Sequence, residues 1–185
     1  MGALRGEGQL ERFYGAPFVG DVYLVGGAIR ELALGEKPRD YDFALSRQED
    51  LSVVEATLKA NAFTLGKKPL HTQRLVCEDG IVVDCTYFSG PIEKDLRRRD
   101  FTINAIAYDV GRRRLIDPLG GLGDLAGKII RSPGSHVLSD DPLRMLKAFR
   151  HFATLKGFSM DGELLEAIGR MRGLIHQAAA ERLKY

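Results

Sequence analysis

The chain has 185 residues, which is enough for one domain with a sizeable core and a small helical extension. Its formal net charge of +2 is too small to indicate a nucleic-acid partner by itself, and its apolar and charged fractions are those of an ordinary globular protein. Basic residues nevertheless cluster at 97–99, 112–114 and 144–150, and such clusters can bind phosphates without a high overall charge.

Cysteine usage and hydropathy predict a cytoplasmic protein. Cys77 and Cys85 give neither a disulfide framework nor the spacing of a metal site, which favours a reducing compartment and predicts that both are small core residues. No stretch has the apolar length of a signal sequence or a membrane span, so we expect no membrane partner. The composition leaves the oligomeric state open.

Apolar periodicity predicts alternating strands and helices in the first two thirds of the chain. The predicted strands lie at 21–25, 40–45, 74–77, 81–87 and 114–116, and the predicted helices at 28–34 and 49–60. Gly35 is expected to end the first helix, and Glu78-Asp79-Gly80 indicates a hairpin. The run 101–109 is apolar enough for a buried helix or strand, whereas the glycines of 120–123 predict a loop.

The pattern becomes helical after Asp141, which suits an N-cap, with Pro142 at the first helical position. The helix that follows is predicted to have one apolar face, formed by Leu143, Leu146, Phe149 and Phe152. Residues 161–172 and 178–184 are also predicted to be helical.

We therefore predict an α+β protein with two parts. The first, at residues 1–135, is a head with a mixed sheet flanked by helices, and the second, at residues 136–185, is an all-helical neck. The last predicted helix reaches Tyr185 without a stop signal, so we expect the natural chain to continue.

Two carboxylates predict a metal site. Asp40 and Asp42 are two residues apart, so on a strand their side chains leave the same face and repel each other unless a cation lies between them. Asp84, on the strand predicted at 81–87, is a candidate third ligand if the two strands are neighbours, and three carboxylates can hold two metal ions for phosphoryl transfer. The alternative is a pair of solvent-facing acids on an edge strand.

The turn before the first predicted helix suits an anion. Gly26 and Gly27 let backbone N–H groups approach closely, and the helix adds the positive end of its dipole beside Arg30. The turn is neither a P-loop nor a Rossmann fingerprint, since the required lysine and third glycine are missing. A tight strand-to-helix turn without a ligand is the alternative.

Two further segments carry polar groups for a sugar and a base. Arg99-Asp100 with Thr102 and Asn104 supplies the cation, acceptor and small donors that a ribose triphosphate needs, although such residues also cap helices.

Asp141 and Arg144 lie three residues apart and together could accept from an amino group and donate to a ring nitrogen, as a pairing base does. Such a pair would accept CTP or ATP and reject UTP and GTP, whereas an intrahelical ion pair is the simpler interpretation. Lys147 and Arg150 continue the three-residue spacing, but each step turns back about 60°, so we expect that they do not all face one ligand.

These motifs, in this order, resemble the class II tRNA nucleotidyltransferases, which are the CCA-adding enzymes, and the related bacterial poly(A) polymerases. The resemblance implies a polymerase beta-like nucleotidyltransferase head. It implies that Gly26, Gly27 and Arg30 bind the triphosphate, and that Asp40, Asp42 and Asp84 are the catalytic carboxylates that hold Mg²⁺.

The resemblance also extends to the later segments. It implies ribose and phosphate contacts for Arg98, Arg99, Asp100 and Asn104. It implies nucleotide selection and binding by Asp140, Asp141, Arg144, Lys147 and Arg150. Ala180-Glu181-Arg182 resembles the motif that stabilises the neck, and we expect the body and tail domains that hold tRNA in this family to lie outside these 185 residues.

Two departures from the family pattern matter. Lys147 stands where an arginine is usual and gives charge without a bidentate fork. The connection between Asp84 and Arg98 is shorter than in enzymes that add the terminal A, which resembles the CC-adding enzymes.

The resemblance thus implies template-independent addition of CMP, AMP or both from CTP and ATP to the 3′ end of tRNA, with CC addition favoured over full CCA addition or poly(A) synthesis. A catalytically inactive nucleotide- or RNA-binding relic is the alternative of another class, and the intact pair Asp40 and Asp42 argues against it.

Overall fold

The computed structural model describes residues 7–65, 72–77 and 80–177. The strands are β1 (Val22–Val25), β2 (Asp40–Leu45), β3 (Asn61–Leu65), β4 (Thr72–Val76), β5 (Val82–Tyr87), β6 (Ala107–Asp109), β7 (Arg114–Ile116), β8 (Ile129–Ile130) and β9 (Ser159–Met160). The α-helices are α1 (Gly27–Leu34), α2 (Asp50–Leu58), α3 (Ile92–Arg97), α4 (Gly121–Gly127), α5 (His136–Asp140), α6 (Leu143–Thr154) and α7 (Gly162–Met171). Short 3₁₀ segments lie at Glu7–Phe13, Thr102–Asn104 and Arg172–Gln177.

Seven strands form one mixed sheet in the order β3-β4-β5-β2-β1-β6-β7, which confirms the predicted α+β head. β2 and β5 pair in parallel, and the other pairs are antiparallel. Because β2 lies between β5 and β1, it is an interior strand, and the interpretation of Asp40 and Asp42 as acids on an edge strand is wrong. Of the predicted hairpin, Glu78 and Asp79 lie outside the described residues.

The two faces of β2 have different environments. Tyr41, Phe43 and Leu45 are buried in the main core, which α1 and α2 help to cover. The other face carries Asp40, Asp42 and Ala44, because strand residues alternate between faces. Only part of this second face is covered by helix α3, in a small apolar cluster made by Tyr23, Val25, Ala44, Ile92, Leu96, Ala105 and Ala107. The acidic residues thus lie on the more open side of the sheet.

Several local expectations are confirmed. Cys77 and Cys85 are buried, as predicted for core residues. Gly35 ends α1 in the left-handed conformation. The ambiguous run 101–109 contains both kinds of structure, since the 3₁₀ segment Thr102–Asn104 precedes β6.

The loop predicted at residues 120–123 is wrong, because α4 begins at Gly121. The carboxylate of Asp117 accepts hydrogen bonds from the backbone N–H groups of Gly121 and Leu122, at 2.7 and 2.9 Å, and so caps the new helix. A Cβ atom at Gly121 would lie 2.1 Å from the carbonyl oxygen of Thr102. Gly121 therefore allows close packing against the segment that carries Asn104.

The portion after residue 135 contains α5, α6, α7 and the 3₁₀ segment Arg172–Gln177, with one short strand, β9, which pairs in parallel with β8. The helix predicted at 178–184, with Ala180-Glu181-Arg182, lies outside the described residues, and the domain boundary at residue 135 stays a prediction. None of the helices in the described ranges is long and apolar enough to cross a bilayer.

The predicted apolar face of α6 is not its buried face. Leu146, Phe149 and Phe152 are 43%, 48% and 52% exposed, whereas Met145, Ala148 and His151 are buried. Both sets have a three-residue spacing, which turns back about 60° at each step, so this spacing alone does not distinguish the core side of a helix from its outer side.

Candidate active site

A cavity of about 950 Å³ lies between the start of α1, the acidic face of β2 and helix α6. Most of the predicted site residues line it, namely Gly26, Gly27, Arg30, Asp40, Asp42, Arg99, Asp100, Asn104, Asp141, Arg144, Lys147 and Arg150. Of the remaining predicted site residues, all within the described ranges, Asp84, Arg98 and Asp140 are not part of its wall. Segments more than 100 residues apart in the chain thus meet at one cavity.

The glycine turn brings the backbone close to charged side chains. Gly26 has a φ of 74°, a conformation that favours glycine, and it precedes the first residue of α1. A Cβ atom at Gly26 would lie 3.1 Å from both Arg99 Nη1 and Asp42 Oδ2. The turn therefore presents the amino-terminal end of a helix and two cations, Arg30 and Arg99, to the same space, which suits a phosphate chain.

Asp40 and Asp42 both open onto the cavity from one face of β2, as predicted. Asp42 is exposed at the cavity surface, but desolvation by the surrounding protein raises the pKa of its carboxyl group, with an opposing decrease from Arg99 and a further increase from Asp84. A cation bound between the two carboxylates would relieve this cost. The arrangement therefore fits a divalent metal ion held by Asp40 and Asp42.

Asp84 lies directly opposite Asp42 in the parallel register, on the predicted neighbouring strand. Its carboxylate is held by Arg74 of β4, which donates from Nε to Oδ1 at 2.8 Å and from Nη2 to Oδ2 at 2.6 Å. No group of three metal-ligating His, Cys, Asp or Glu side chains converges within 7–65, 72–77 and 80–177. Because both oxygens of the Asp84 carboxylate accept hydrogen bonds from Arg74, the predicted cluster of three carboxylates is not formed in this structure.

Asp95 of α3 separates the two neighbouring arginines. Arg98 donates to Asp95 Oδ1 from Nε at 2.9 Å and is 69% exposed, so it lies away from the cavity. Arg99 donates to Asp95 Oδ2 from Nη2 at 3.0 Å and reaches the glycine turn. Burial alone would raise the pKa of Asp95, but Arg99 and Arg98 hold it below its ordinary value. Asp95 therefore stays ionised and directs Arg99 towards Gly26.

Beneath the cavity, Asn104 joins α1 to α6. Its Oδ1 accepts a hydrogen bond from Arg30 Nη1, and its Nδ2 lies 3.0 Å from Asp100 Oδ1 and 3.2 Å from His151 Nε2. Asp100 also forms an ion pair with Lys147. Although burial would raise the pKa of Asp100, Lys147 together with the hydrogen bonds from Asn104 and Phe101 N–H holds it below its ordinary value. Asp100 and Asn104 thus support cavity residues as well as lining the wall.

The start of α6 differs by one residue from the prediction. Pro142 is the cap position and α6 begins at Leu143, while Asp141 is extended and accepts a hydrogen bond from Leu143 N–H at 3.3 Å. Arg144 Nη1 donates to the carbonyl of Val137 at 3.1 Å. Asp141 therefore caps α6 from just outside it, with Arg144 in its first turn.

The expectation that the three-residue row of cations does not all face one ligand stays a prediction, although the row shares one cavity. Arg144, Lys147 and Arg150 all line the cavity. Two steps of about 60° span an arc of about 120°, and a wide cavity with long side chains accommodates that arc.

Sequence reasoning missed some of the cavity wall. His151 carries no motif, and only the three-dimensional contact with Asn104 reveals it. Glu31 pairs with Arg30 at 3.1 Å. Glu36, Lys37 and Arg39 also line the cavity, and the charged run directly before Asp40 was the available signal.

Comparison with known proteins gives three similarities. Residues 67–131 match the family model described as the poly A polymerase head domain. The CC-adding tRNA nucleotidyltransferase of Synechocystis sp. is 36% identical over 165 residues, which cover 87% of this chain and 39% of the relative. The enzyme of the same name from Halalkalibacterium halodurans is 37% identical over 170 residues, covering 89% of this chain and 42% of the relative.

The chain belongs to the class II tRNA nucleotidyltransferase family. It spans about two fifths of the length of these curated relatives, 39% and 42%. The structure of the Thermotoga maritima CCA-adding enzyme complexed with tRNA has a TM-score of 0.78 and 31% identity to it, covering 95% of this chain and 43% of that chain. The similarity confirms the predicted family and its head fold.

Proposed function

We propose that this chain is the catalytic part of an RNA nucleotidyltransferase that adds CMP from CTP to the 3′ end of tRNA without a template. The observation that carries the proposal is the single cavity whose wall includes the glycine turn, Asp40 and Asp42, and the polar start of α6. Triphosphate, metal and base contacts are thus within reach of one nucleotide. The relatives named as CC-adding enzymes support the same activity.

In this proposal the triphosphate binds along the glycine turn. Backbone N–H groups at the start of α1 and the guanidinium groups of Arg30 and Arg99 donate to its oxygens. Arg30 Nε is buried and has no acceptor among the described residues, which leaves one donor for a bound anion. The reaction is attack of an RNA 3′-hydroxyl on the α-phosphorus, with pyrophosphate as the leaving group.

Asp40 and Asp42 would hold Mg²⁺, which commonly binds to proteins through one or two carboxylates and completes its coordination with water and substrate phosphates. The metal supplies activation of the attacking hydroxyl and neutralisation of the pyrophosphate. The chain contributes a carboxylate pair on a rigid interior strand, beside Arg99, so that the reacting groups have little freedom to move away from each other.

The start of α6 is proposed to select the base. The carboxylate of Asp141 would accept from the exocyclic amino group of cytosine, and Arg144 would donate to its ring nitrogen. Val137 already holds Arg144 in place through its carbonyl group. UTP and GTP present the reverse order of donor and acceptor to this pair, which is the physical basis of their rejection.

Addition of C rather than A is supported by the short connection between β5 and Arg98. Residues 88–91 join β5 to α3, and Ile92 and Leu96 of α3 are buried against the sheet. A connection anchored in this way has little freedom to reshape the base site for ATP. Full CCA addition and poly(A) synthesis remain the alternative activities, and a cytoplasmic location stays a prediction.

The test is incubation of the protein with CTP and ATP together, one of them labelled, Mg²⁺ and tRNA that lacks its terminal CCA. We expect Mg²⁺-dependent extension by two C residues. Extension by CCA or by a long A tract would replace the proposed product, whereas absence of transfer together with intact CTP binding would support a nucleotide-binding relic. Asp40→Asn is the control, and transfer that persists in it would contradict the proposed metal site.

A further inference from the structure

A buried polar cluster connects the triphosphate side of the cavity to α6. Asp100, Asn104 and His151 are 7%, 6% and 5% exposed, and the side chain of Arg30 is 11% exposed. Buried polar groups of this kind are costly unless each has a partner with the matching role. The donors and acceptors in the cluster therefore constrain one another.

The orientation of the Asn104 amide follows from its neighbours. Arg30 can only donate, so the amide oxygen faces Arg30 and the amide nitrogen faces the other two partners. That nitrogen donates to Asp100 Oδ1 at 3.0 Å and faces His151 Nε2 at 3.2 Å. His151 Nε2 must accept in this contact, which requires a neutral imidazole with its proton on Nδ1.

The surroundings keep His151 neutral. Burial is the largest cause that lowers its pKa to about 4, and the cations Arg30, Lys147 and Arg150 act in the same direction against the single opposing anion, Asp100. The ring of Phe101 packs edge-on to the imidazole at 5.4 Å between centroids. A proton on Nε2 would place two hydrogen-bond donors, Nε2–H and the Asn104 amide nitrogen, against each other. A flip of the amide would avoid this conflict but would place the same nitrogen against the donor Arg30.

We propose that His151 is a positioning residue for the triphosphate: its neutral Nε2 fixes the Asn104 amide, and Asn104 fixes the guanidinium of Arg30 beside the glycine turn. The proposal depends on the proposed function, because it assigns the triphosphate to Arg30. It goes further by placing control of Arg30 in a histidine of α6 that carries no motif.

The test compares His151→Phe with His151→Gln in the full chain. Phenylalanine fills the site without an acceptor, whereas the glutamine amide oxygen can take the place of Nε2. We expect His151→Phe to weaken binding of CTP and of inorganic triphosphate, measured without RNA, about tenfold, because the Asn104 amide loses the acceptor that orients it and Arg30 is then held less firmly. His151→Gln should stay within about threefold of the parent. In turnover, the Phe variant should raise KM for CTP more than it lowers kcat.

Met145→Leu is the matched control, because Met145 is buried on the same helix, and we expect both affinities to equal those of the parent. Melting temperatures show whether each variant is folded, and ¹⁵N spectra of the imidazole test directly whether Nε2 is the unprotonated nitrogen at pH 7. A protonated Nε2, or a folded Phe variant with parental affinity for triphosphate, would overturn the proposal. If the parent binds neither CTP nor triphosphate, the proposed function fails as well; parental binding with no effect of His151→Phe refutes this inference alone.

Discussion

Strand β2 and helix α6 form two walls of the cavity, here called the sheet wall and the helix wall. The two walls differ in how their side chains are distributed between the cavity and other environments. Strand β2 has two faces, and its alternation sends Asp40 and Asp42 to the cavity and Tyr41 and Phe43 to the core. Helix α6 serves three environments at once: the cavity, the core and the outer surface. On a strand each side chain points to one face or the other, whereas on a helix side chains point in many directions around the axis. The environment of a residue is therefore easier to predict on β2 than on α6.

The largest effect should come from the sheet wall. We expect Asp42→Asn to lower nucleotidyl transfer at least about a thousandfold, because the amide is a poor ligand for a divalent ion. The same variant should be more stable than the parent, since a carboxylate whose charged form is disfavoured by desolvation and by Asp84 is removed. Rate assays measure the transfer, and urea unfolding measures the free energy of unfolding. A variant that loses both activity and stability would contradict the interpretation that the Asp42 carboxylate destabilises the fold and is needed for metal binding.

On the helix wall, the buried imidazole of His151 should make stability depend on pH. The unfolded chain protonates this group below about pH 6.5, but the folded chain does so only near pH 4, so the unfolded state binds the extra proton between these values. Stability should therefore fall as the pH is lowered from 6.5 to 4, by up to about 3 kcal/mol in total. Urea unfolding at several pH values measures this loss, and His151→Phe should lose less; equal losses would show that other groups cause it.

The start of α6 should control nucleotide choice rather than overall binding. We expect Asp141→Ala and Arg144→Ala to reduce the preference for CTP over UTP about tenfold, because a base-specific hydrogen bond is lost. Competition assays with both nucleotides measure the preference. Leu146→Ala, on the exposed side of α6, is the control. An equal loss of affinity for all four nucleotides would indicate that this wall only supports the fold.

The smallest effect is expected from breaking the ion pair between Arg74 and Asp84. Arg74→Gln removes both hydrogen bonds to the carboxylate and leaves it opposite Asp42 in the register. We expect the affinity for Mg²⁺ in the presence of CTP to rise about threefold, because a further negative charge becomes free next to the metal site. Arg74→Lys, which keeps the charge, should change it less. Weaker metal binding in Arg74→Gln would show that Arg74 supports the site.

The sequence predicted what depends on local rules. The alternation of β2, the glycine turn and the order of the motifs were sufficient to place most cavity residues. Two of the misses concern local contacts: Asp117, which caps α4, lies just before Gly121, and Arg74, which holds Asp84, lies across the predicted hairpin. Contacts between more distant segments, such as the packing of Gly121 against Thr102, were not accessible from the sequence. His151 was missed for the same reason, since its partner Asn104 lies 47 residues away in the chain.

The most direct measurement of the central claim is titration of the protein with Mn²⁺, as a spectroscopic substitute for Mg²⁺, in the presence of CTP and without RNA. Electron paramagnetic resonance reports the bound ion independently of turnover. We predict tight binding by the parent and by Asp84→Asn, and loss of binding in Asp40→Asn and Asp42→Asn. Parental Mn²⁺ affinity in the latter two variants would contradict a metal site formed by Asp40 and Asp42 beside the glycine turn.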